Sequence, residues 1–153
     1  MGHNMEHDKD LYFVAIKVFL KDKENNFLIT KDKWGSWDLP GGRLREIDFD
    51  ASFSDIIKRK IFEELGDKIE YLIGEPVVYM RHERDEHLPN GETAKRRIFA
   101  IGYEAEYLGG EIQLGKSHEK FEWVNINDFN PDDYFTGGWL KGVSEYLARY
   151  RGK

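Results

Sequence analysis

Apolar and polar positions alternate between short strand-like runs and two stretches of helical period. Tyr12 to Leu20 is dense in β-branched and aromatic residues, Lys21 to Asn26 is polar, and Phe27-Leu28-Ile29-Thr30 is apolar again. This pattern predicts a β-hairpin. Trp34 to Pro40 is a short aromatic stretch ending in Pro40-Gly41-Gly42, where the chain is expected to turn and its backbone to allow close approach of a ligand. A loop is expected from Arg43 to about Asp50. Phe53, Ile57, Ile61 and Leu65 then recur every four residues, flanked by Ile56 and Phe62. They predict a helix capped by Asp50 or Ser52 and stopped by Gly66.

Further on, Pro76 to His82 and Arg97 to Tyr107 read as strands. The charged connection between them contains Pro89-Asn90-Gly91 and is expected to be a substrate-facing loop. Phe121 to Ile126 predicts another strand, and a last helix is expected from about Gly138 to Tyr150, with Leu140, Val143, Tyr146 and Leu147 on one side. Strands, helix, strands and helix in this order suit a mixed sheet with helices on its faces, an α/β protein in the broad sense. No internal repeat or low-complexity segment interrupts it.

The length of 153 residues fits one domain. We expect residues 11 to 150 to form it, with residues 1–10 as a mobile tail and 151–153 as a second tail; His3 and His7 then belong to the tail. A hydrophobic share of 40% with 22 aromatic residues argues for a folded globule. The formal charge of −6 gives no electrostatic reason to expect duplex nucleic acid as partner. A small anionic ligand then needs a metal or a local cation beside it. With no cysteine, a metal would be held by oxygen or imidazole. No apolar run approaches the roughly 20 residues that span a bilayer, so no membrane partner is expected and the cytoplasm is the expected location.

The chemistry concentrates in Leu39-Pro40-Gly41-Gly42 and Arg59-Lys60-Ile61-Phe62-Glu63-Glu64-Leu65-Gly66. On a helix, Glu63 and Glu64 point about 100° apart, so both reach one ion only at the edge between them. Hard cations such as Mg²⁺ take carboxylate, carbonyl and water oxygens and reach phosphates while keeping several waters.

These segments resemble the box of the Nudix hydrolases: a glycine, five residues, glutamate, seven residues, Arg-Glu, an aliphatic residue, any residue, Glu-Glu, any residue, glycine. Gly42, Arg59, Ile61, Glu63, Glu64 and Gly66 match it. Three positions depart. The stretch from Gly42 to Arg59 is three residues longer than the pattern. The early glutamate falls on Asp48 counted from Gly42, or on Ala51 counted back from Arg59. The glutamate after the arginine is Lys60, which cannot ligate a cation.

The resemblance implies an αβα sandwich with a mixed sheet over residues 11 to 150. It also implies Mg²⁺ or Mn²⁺ held by Glu63, Glu64, the Gly42 carbonyl and Asp48, and hydrolysis of the diphosphate linkage of a nucleoside diphosphate derivative. A base outside the box is expected at Glu119, or second at Glu122, on the segment His118 to Val124. Lys60 either pairs with Glu63 or Glu64 across one helical turn or reaches a substrate phosphate. Family members are often homodimers.

Each residue also has a structural reading. Adjacent glutamates commonly form a solvated helix face, and Arg59, a candidate substrate contact, is better suited to bracing the box loop. Trp34, Trp37 and Trp123 either stack on a base or fill core, with core the better fit for Trp123. Arg97, in Lys95-Arg96-Arg97, either meets phosphate or lines a solvated edge. Two functions therefore stand open: a metal-dependent hydrolase, and a nucleotide-binding or regulatory module in which Lys60 has weakened catalysis.

Overall fold

The computed structural model describes residues 8–151. The expected N-terminal tail therefore lies largely outside the described residues, as does most of the C-terminal one. The elements are β1 (Phe13–Lys21), β2 (Asn26–Asp32), β3 (Trp37–Asp38), β4 (Gly41–Arg43), α1 (Phe53–Leu65), β5 (Ile69–His87), β6 (Thr93–Gly110), β7 (His118–Asn125) and α2 (Gly137–Ala148). Short 3₁₀ turns at Glu46–Asp48 and Pro131–Asp133 precede α1 and α2.

The strands form one mixed sheet in the order β3-β2-β1-β6-β5, with β4 on β1 and β7 on β2. β1 runs parallel to β6, and the other pairs are antiparallel. α1 packs on one face against Ile16, Val18, Leu20 and Leu28. α2 packs on the other against Ala15, Phe19, Phe27 and Ile29. This is the expected αβα sandwich. β1 is buried almost throughout because alternate residues enter two cores, as expected of a strand covered on both faces. On the α2 side Phe19 stacks on Tyr146, with ring centres 3.9 Å apart.

The predicted first hairpin is looser than its sequence suggests. β1 and β2 share only the pair Lys21–Phe27, because β4 takes the β1 edge opposite Ala15, Ile16 and Lys17. The Pro40-Gly41-Gly42 turn thus becomes the start of a strand and places its backbone over α1.

The helix α1 starts where expected, with the Ser52 side chain accepting from Asp55 N–H, and stops at Gly66 with φ 87°. Its buried face is Ile56, Ile57, Lys60, Ile61 and Leu65. Phe62 is 60% exposed, since at about 100° per residue it falls on the opposite side, and Phe53 at the first turn is also exposed.

The connection expected as a loop is mostly strand. β5 and β6 continue as a long hairpin that pairs Glu83 with Arg97 and Asp85 with Lys95, leaving only the turn around Asn90-Gly91. Opposite charges facing each other across the ladder support strand pairing where the sequence had suggested solvated loop. No helix among the described residues is long and apolar enough to cross a membrane.

Candidate functional site

Glu64 follows Lys60 by one helical turn and lies on the buried side of α1, whereas Glu63 sits at the edge of that side. β4 crosses above them. The Gly41 N–H donates to both carboxylate oxygens of Glu64, at 3.3 Å each. Gly41 has φ 134°, and a Cβ there would lie 2.0 Å from the Ile16 carbonyl oxygen. Only glycine allows the backbone so close to β1.

Burial pushes the Glu64 carboxyl up to about 7, against the attraction of Lys17. His118 Nε2 lies 3.6 Å from Glu64 Oε1. The His118 ring is largely buried, its Nδ1 has no hydrogen-bond partner among the described residues, and burial holds its pKa below the usual histidine value. It is therefore neutral at pH 7, and the contact is no ion pair.

Two lysines are buried around this carboxylate. Lys17, the lone charge within the apolar run of β1, is 6% exposed. Its ammonium donates to both oxygens of Asp38 at 2.9 and 3.0 Å, and Asp38 also accepts from the Leu39 N–H at 2.7 Å. Lys60 is 4% exposed and donates to the Arg43 carbonyl at 2.8 Å. A Cβ at Gly42 would lie 3.3 Å from the Lys60 ammonium. Burial lowers the Lys60 pKa, and Arg59 and Arg45 add to the effect. Of the two expectations for Lys60, pairing with Glu63 or Glu64 is not met; its ammonium goes to the Arg43 carbonyl instead. A buried backbone carbonyl needs a donor, and the Arg43 carbonyl takes this one.

Asp48, expected among the metal ligands, is 2% exposed and engaged elsewhere. Arg59 donates to both its oxygens, the Arg45 N–H donates to it at 2.7 Å, and these bonds hold its carboxyl far below the usual range. An acidic residue saturated by a guanidinium fork and a backbone donor has little left for a metal. Arg59, entered as a candidate substrate contact, thus ties the lengthened loop to α1. Glu63 faces solvent, 3.2 Å from Arg45 and 3.7 Å from Arg59.

The two expected bases are not gathered at Glu64. Glu119 is half-exposed and pairs with Lys31 at 3.6 Å, and Glu122 pairs with Lys120 at 3.8 Å. The ladder of β7 on β2 shifts register here, with Lys31 opposite Lys120 and Asp32 opposite His118, so Glu119 is an extra residue at a bulge; it pairs with Lys31 while His118 lies beside Glu64. Arg97 is held by Asp10 and Glu83 on the long hairpin. Trp37 packs edge-on against Tyr134 beside Asp38, on the α2 side of the sheet.

Lys17, Asp38, His82 and Trp139 surround this region without having been singled out from the sequence. A lone lysine in the apolar run from Phe13 to Leu20 was the available signal for Lys17. The others meet only through the fold.

Among the described residues no three His, Asp or Glu side chains converge on one point. Lys60 removes one carboxylate and Arg59 occupies Asp48, leaving Glu63, Glu64 and the carbonyl of the glycine turn. Mg²⁺ usually keeps several waters and is bound through one or two carboxylates plus substrate phosphate.

Mixed sheet, glycine turn and glutamate-bearing helix together define the class of fold. The NUDIX domain family model matches residues 11–140, and the chain belongs to that family. Nudix hydrolases act generally as pyrophosphohydrolases on nucleoside diphosphate derivatives and generally use divalent metals such as Mg²⁺. No curated protein matches the sequence. Among solved structures, the chain is similar to a MutT protein from Methanosarcina mazei Go1, with 19% identity, 93% of this chain and 96% of that one covered, and a TM-score of 0.68. It is also similar to an ADP-ribose pyrophosphatase from Streptococcus suis 89-1591, with 17% identity, coverage of 94% and 95%, and a TM-score of 0.63. A UDP-X diphosphatase shares 13% identity over 97% of this chain and 67% of that one, with a TM-score of 0.62. At these identities the likeness establishes the fold.

Proposed function

We propose that the protein is a divalent-metal-dependent hydrolase that cleaves the diphosphate linkage of a nucleoside diphosphate derivative. The observation that carries this reading is Glu64, a buried carboxylate under the glycine turn with a backbone N–H and a neutral imidazole beside it and, among the described residues, no Lys or Arg paired to it. A buried carboxylate short of a counter-charge is a place for a cation. Glu63, Glu64 and the Gly42 carbonyl would hold Mg²⁺ or Mn²⁺. When bound, such an ion orients and acidifies water and offsets charge on the transferring oxygens.

The chain's own residues supply the rest. Gly41 N–H fixes the Glu64 carboxylate, Arg59 and Asp48 brace the loop, and Lys60 sets a fixed positive charge beneath the turn. For the proton of the attacking water we assign His118 ahead of Glu119 and Glu122, because it alone of the three touches Glu64. Calorimetric titration of Mg²⁺ and Mn²⁺, with and without a nonhydrolysable nucleotide, tests the reading. Metal binding that tightens with nucleotide, and turnover that falls at least about a hundredfold in Glu64→Gln, are expected. Normal turnover by Glu64→Gln would overturn the assignment.

One observation favours a second reading. The ammonium of Lys60 occupies the underside of the glycine turn and no third carboxylate among the described residues replaces it, which suits a nucleotide-binding module with weakened catalysis. Lys60→Glu separates the two: turnover falls if Lys60 serves the reaction and rises if it had disabled it.

A further inference from the structure

Three guanidiniums converge on one carboxylate on the α2 face of the sheet. Arg43 donates to both oxygens of Glu86, at 3.1 Å to Oε1. Arg84 donates to Oε2 from Nε at 3.0 Å and brings a second nitrogen within 2.9 Å of the same oxygen. Arg96 comes only to 3.9 Å, beyond hydrogen-bond distance.

Strand register puts these residues on one face. Ala15, Met80 and Ile98 belong to the core under α2. Arg43 lies opposite Ala15, and Arg84 and Arg96 share the pleat side of Met80 and Ile98 on their strands. The helix starts where the Gly138 N–H meets His82, so the next positions on that side of β5, Arg84 and Glu86, lie past its end. Of the run Lys95-Arg96-Arg97, Lys95 and Arg97 turn to the other face and pair with Glu83.

The cluster holds more donors than its carboxylate can use. Each guanidinium has five N–H donors, against about four lone-pair sites on the carboxylate. Glu86 is ionised, since the hydrogen bonds from Arg43 hold its carboxyl below the usual range, so three positive charges meet one negative. Arg84 and Arg96 stand directly opposite each other in the ladder, a like-charged pairing that by itself destabilises a sheet. The Phe13 ring centre lies 4.9 Å from the Arg43 guanidinium and 5.6 Å from that of Arg96. Stacking engages the face of a guanidinium and leaves its N–H edge for an anion. The four polar side chains are between 23% and 49% exposed, so a ligand reaches them from solvent. A phosphate group carries more charge and more acceptor oxygens than a carboxylate, and arginine forks match it bidentately.

We propose that Arg43, Arg84 and Arg96 form a phosphate-binding site, separate from the Glu64 carboxylate, in which Glu86 is the resident anion that an incoming phosphate group displaces. The site does not rest on the reading of Glu64, which belongs to α1 on the opposite face. Arg43 joins the two, because it follows Gly42 and its carbonyl receives the Lys60 ammonium.

The test uses the full chain in chelator, so that no metal takes part, with inorganic phosphate as probe and calorimetric affinities. Saturable binding is expected. Glu86→Gln should tighten it by about tenfold or more, and Arg84→Gln and Arg96→Gln should each weaken it by about tenfold or more. Lys58→Gln, at an exposed position of α1, should stay within about twofold. A measurement on the wild type covers a variant that does not fold. On addition of phosphate, the ¹⁵N side-chain Nε–H signals of Arg43, Arg84 and Arg96 should move, while those of Arg59 and Arg97, locked to carboxylates elsewhere, stay fixed. The site is overturned by lack of saturable binding in both wild type and Glu86→Gln, by binding that leaves the three signals in place, or by unchanged affinity in folded Arg84→Gln and Arg96→Gln. None of these results bears on Glu64, since metal and nucleotide are absent. Competition then identifies the source of the phosphate: with Mg²⁺ present, displacement by ADP assigns the site to a phosphate of the nucleotide, and retention beside ADP assigns it to free phosphate.

Discussion

Replacing Glu64 by glutamine should stabilise the metal-free protein, increasingly as pH rises from 4.5 to about 7 and fully above it. Folding raises this carboxyl from its ordinary 4.5 to about 7, chiefly through burial. Between those values the folded chain holds more protons than the unfolded one, so stability falls as pH rises. The contribution is fully present below 4.5 and is lost as pH passes through about 7. A rise of that size corresponds to about 3 kcal/mol at most, and water entering beside the charged carboxylate reduces it, so roughly 1–3 kcal/mol is expected. Glutamine keeps an acceptor for the Gly41 N–H and carries no charge at any pH. In chelator, thermal melts of wild type and Glu64→Gln should nearly coincide at pH 5 and separate by pH 8.5. The variant should then melt roughly 3–10 °C higher. His118 is shifted the opposite way: the stability tied to it is present above 6.5 and lost on acidification, in both proteins alike. Adding Mg²⁺ at pH 8.5 should raise the melting point of the wild type and leave the variant unmoved, since only the wild type gains a ligand. Melting curves that stay parallel from pH 5 to 8.5 in chelator would refute the account of Glu64 as a desolvated carboxylate awaiting a cation.

Three further outcomes can be checked by turnover and melting. His118→Asn should lower kcat by about a hundredfold or more and flatten the acidic limb of the pH–rate profile, while Glu119→Gln stays within a few-fold; the reverse order would return the role of base to Glu119. Gly41→Ala forces a side chain onto the Ile16 carbonyl at a φ of 134°, so a loss of about 1–3 kcal/mol in denaturant unfolding is expected, and a neutral result would mean that the turn relaxes freely. Arg59→Leu leaves Asp48 buried without its guanidinium, so the melting temperature should drop and the neighbouring loop amides should lose hydrogen-exchange protection, with Asp48→Asn milder because an amide oxygen still accepts from Arg45 N–H; unchanged protection in Arg59→Leu would show that the pair does not brace the loop.

Much of the architecture was legible in the chain. Apolar runs at strand density and two helical periods follow directly from how side chains alternate or wind along their own element, so the order of elements and the sandwich could be stated before the structure. The caps of α1 were equally local, with Ser52 at its start and Gly66 at its end. Box residues from Gly42 to Gly66 marked the helix and the turn that meet at Glu64. Local pattern failed where distant segments decide. Residues 83–96 read as loop because their charges look solvated, yet Glu83 and Asp85 find Arg97 and Lys95 across a ladder that the sequence does not display. Spacing offered Asp48 to a metal, whereas the fold delivered it to Arg59; it offered Lys60 to a glutamate, whereas β4 laid the Arg43 carbonyl over it. His118, rather than Glu119, reaches Glu64 at a point where the ladder of β7 against β2 shifts register, and that irregularity is set by the pairing of two distant strands. Sequence alone determined which chemistry is present and on which element it sits. The tertiary structure decided which groups are desolvated together, because burial and partner choice depend on segments far apart in the chain.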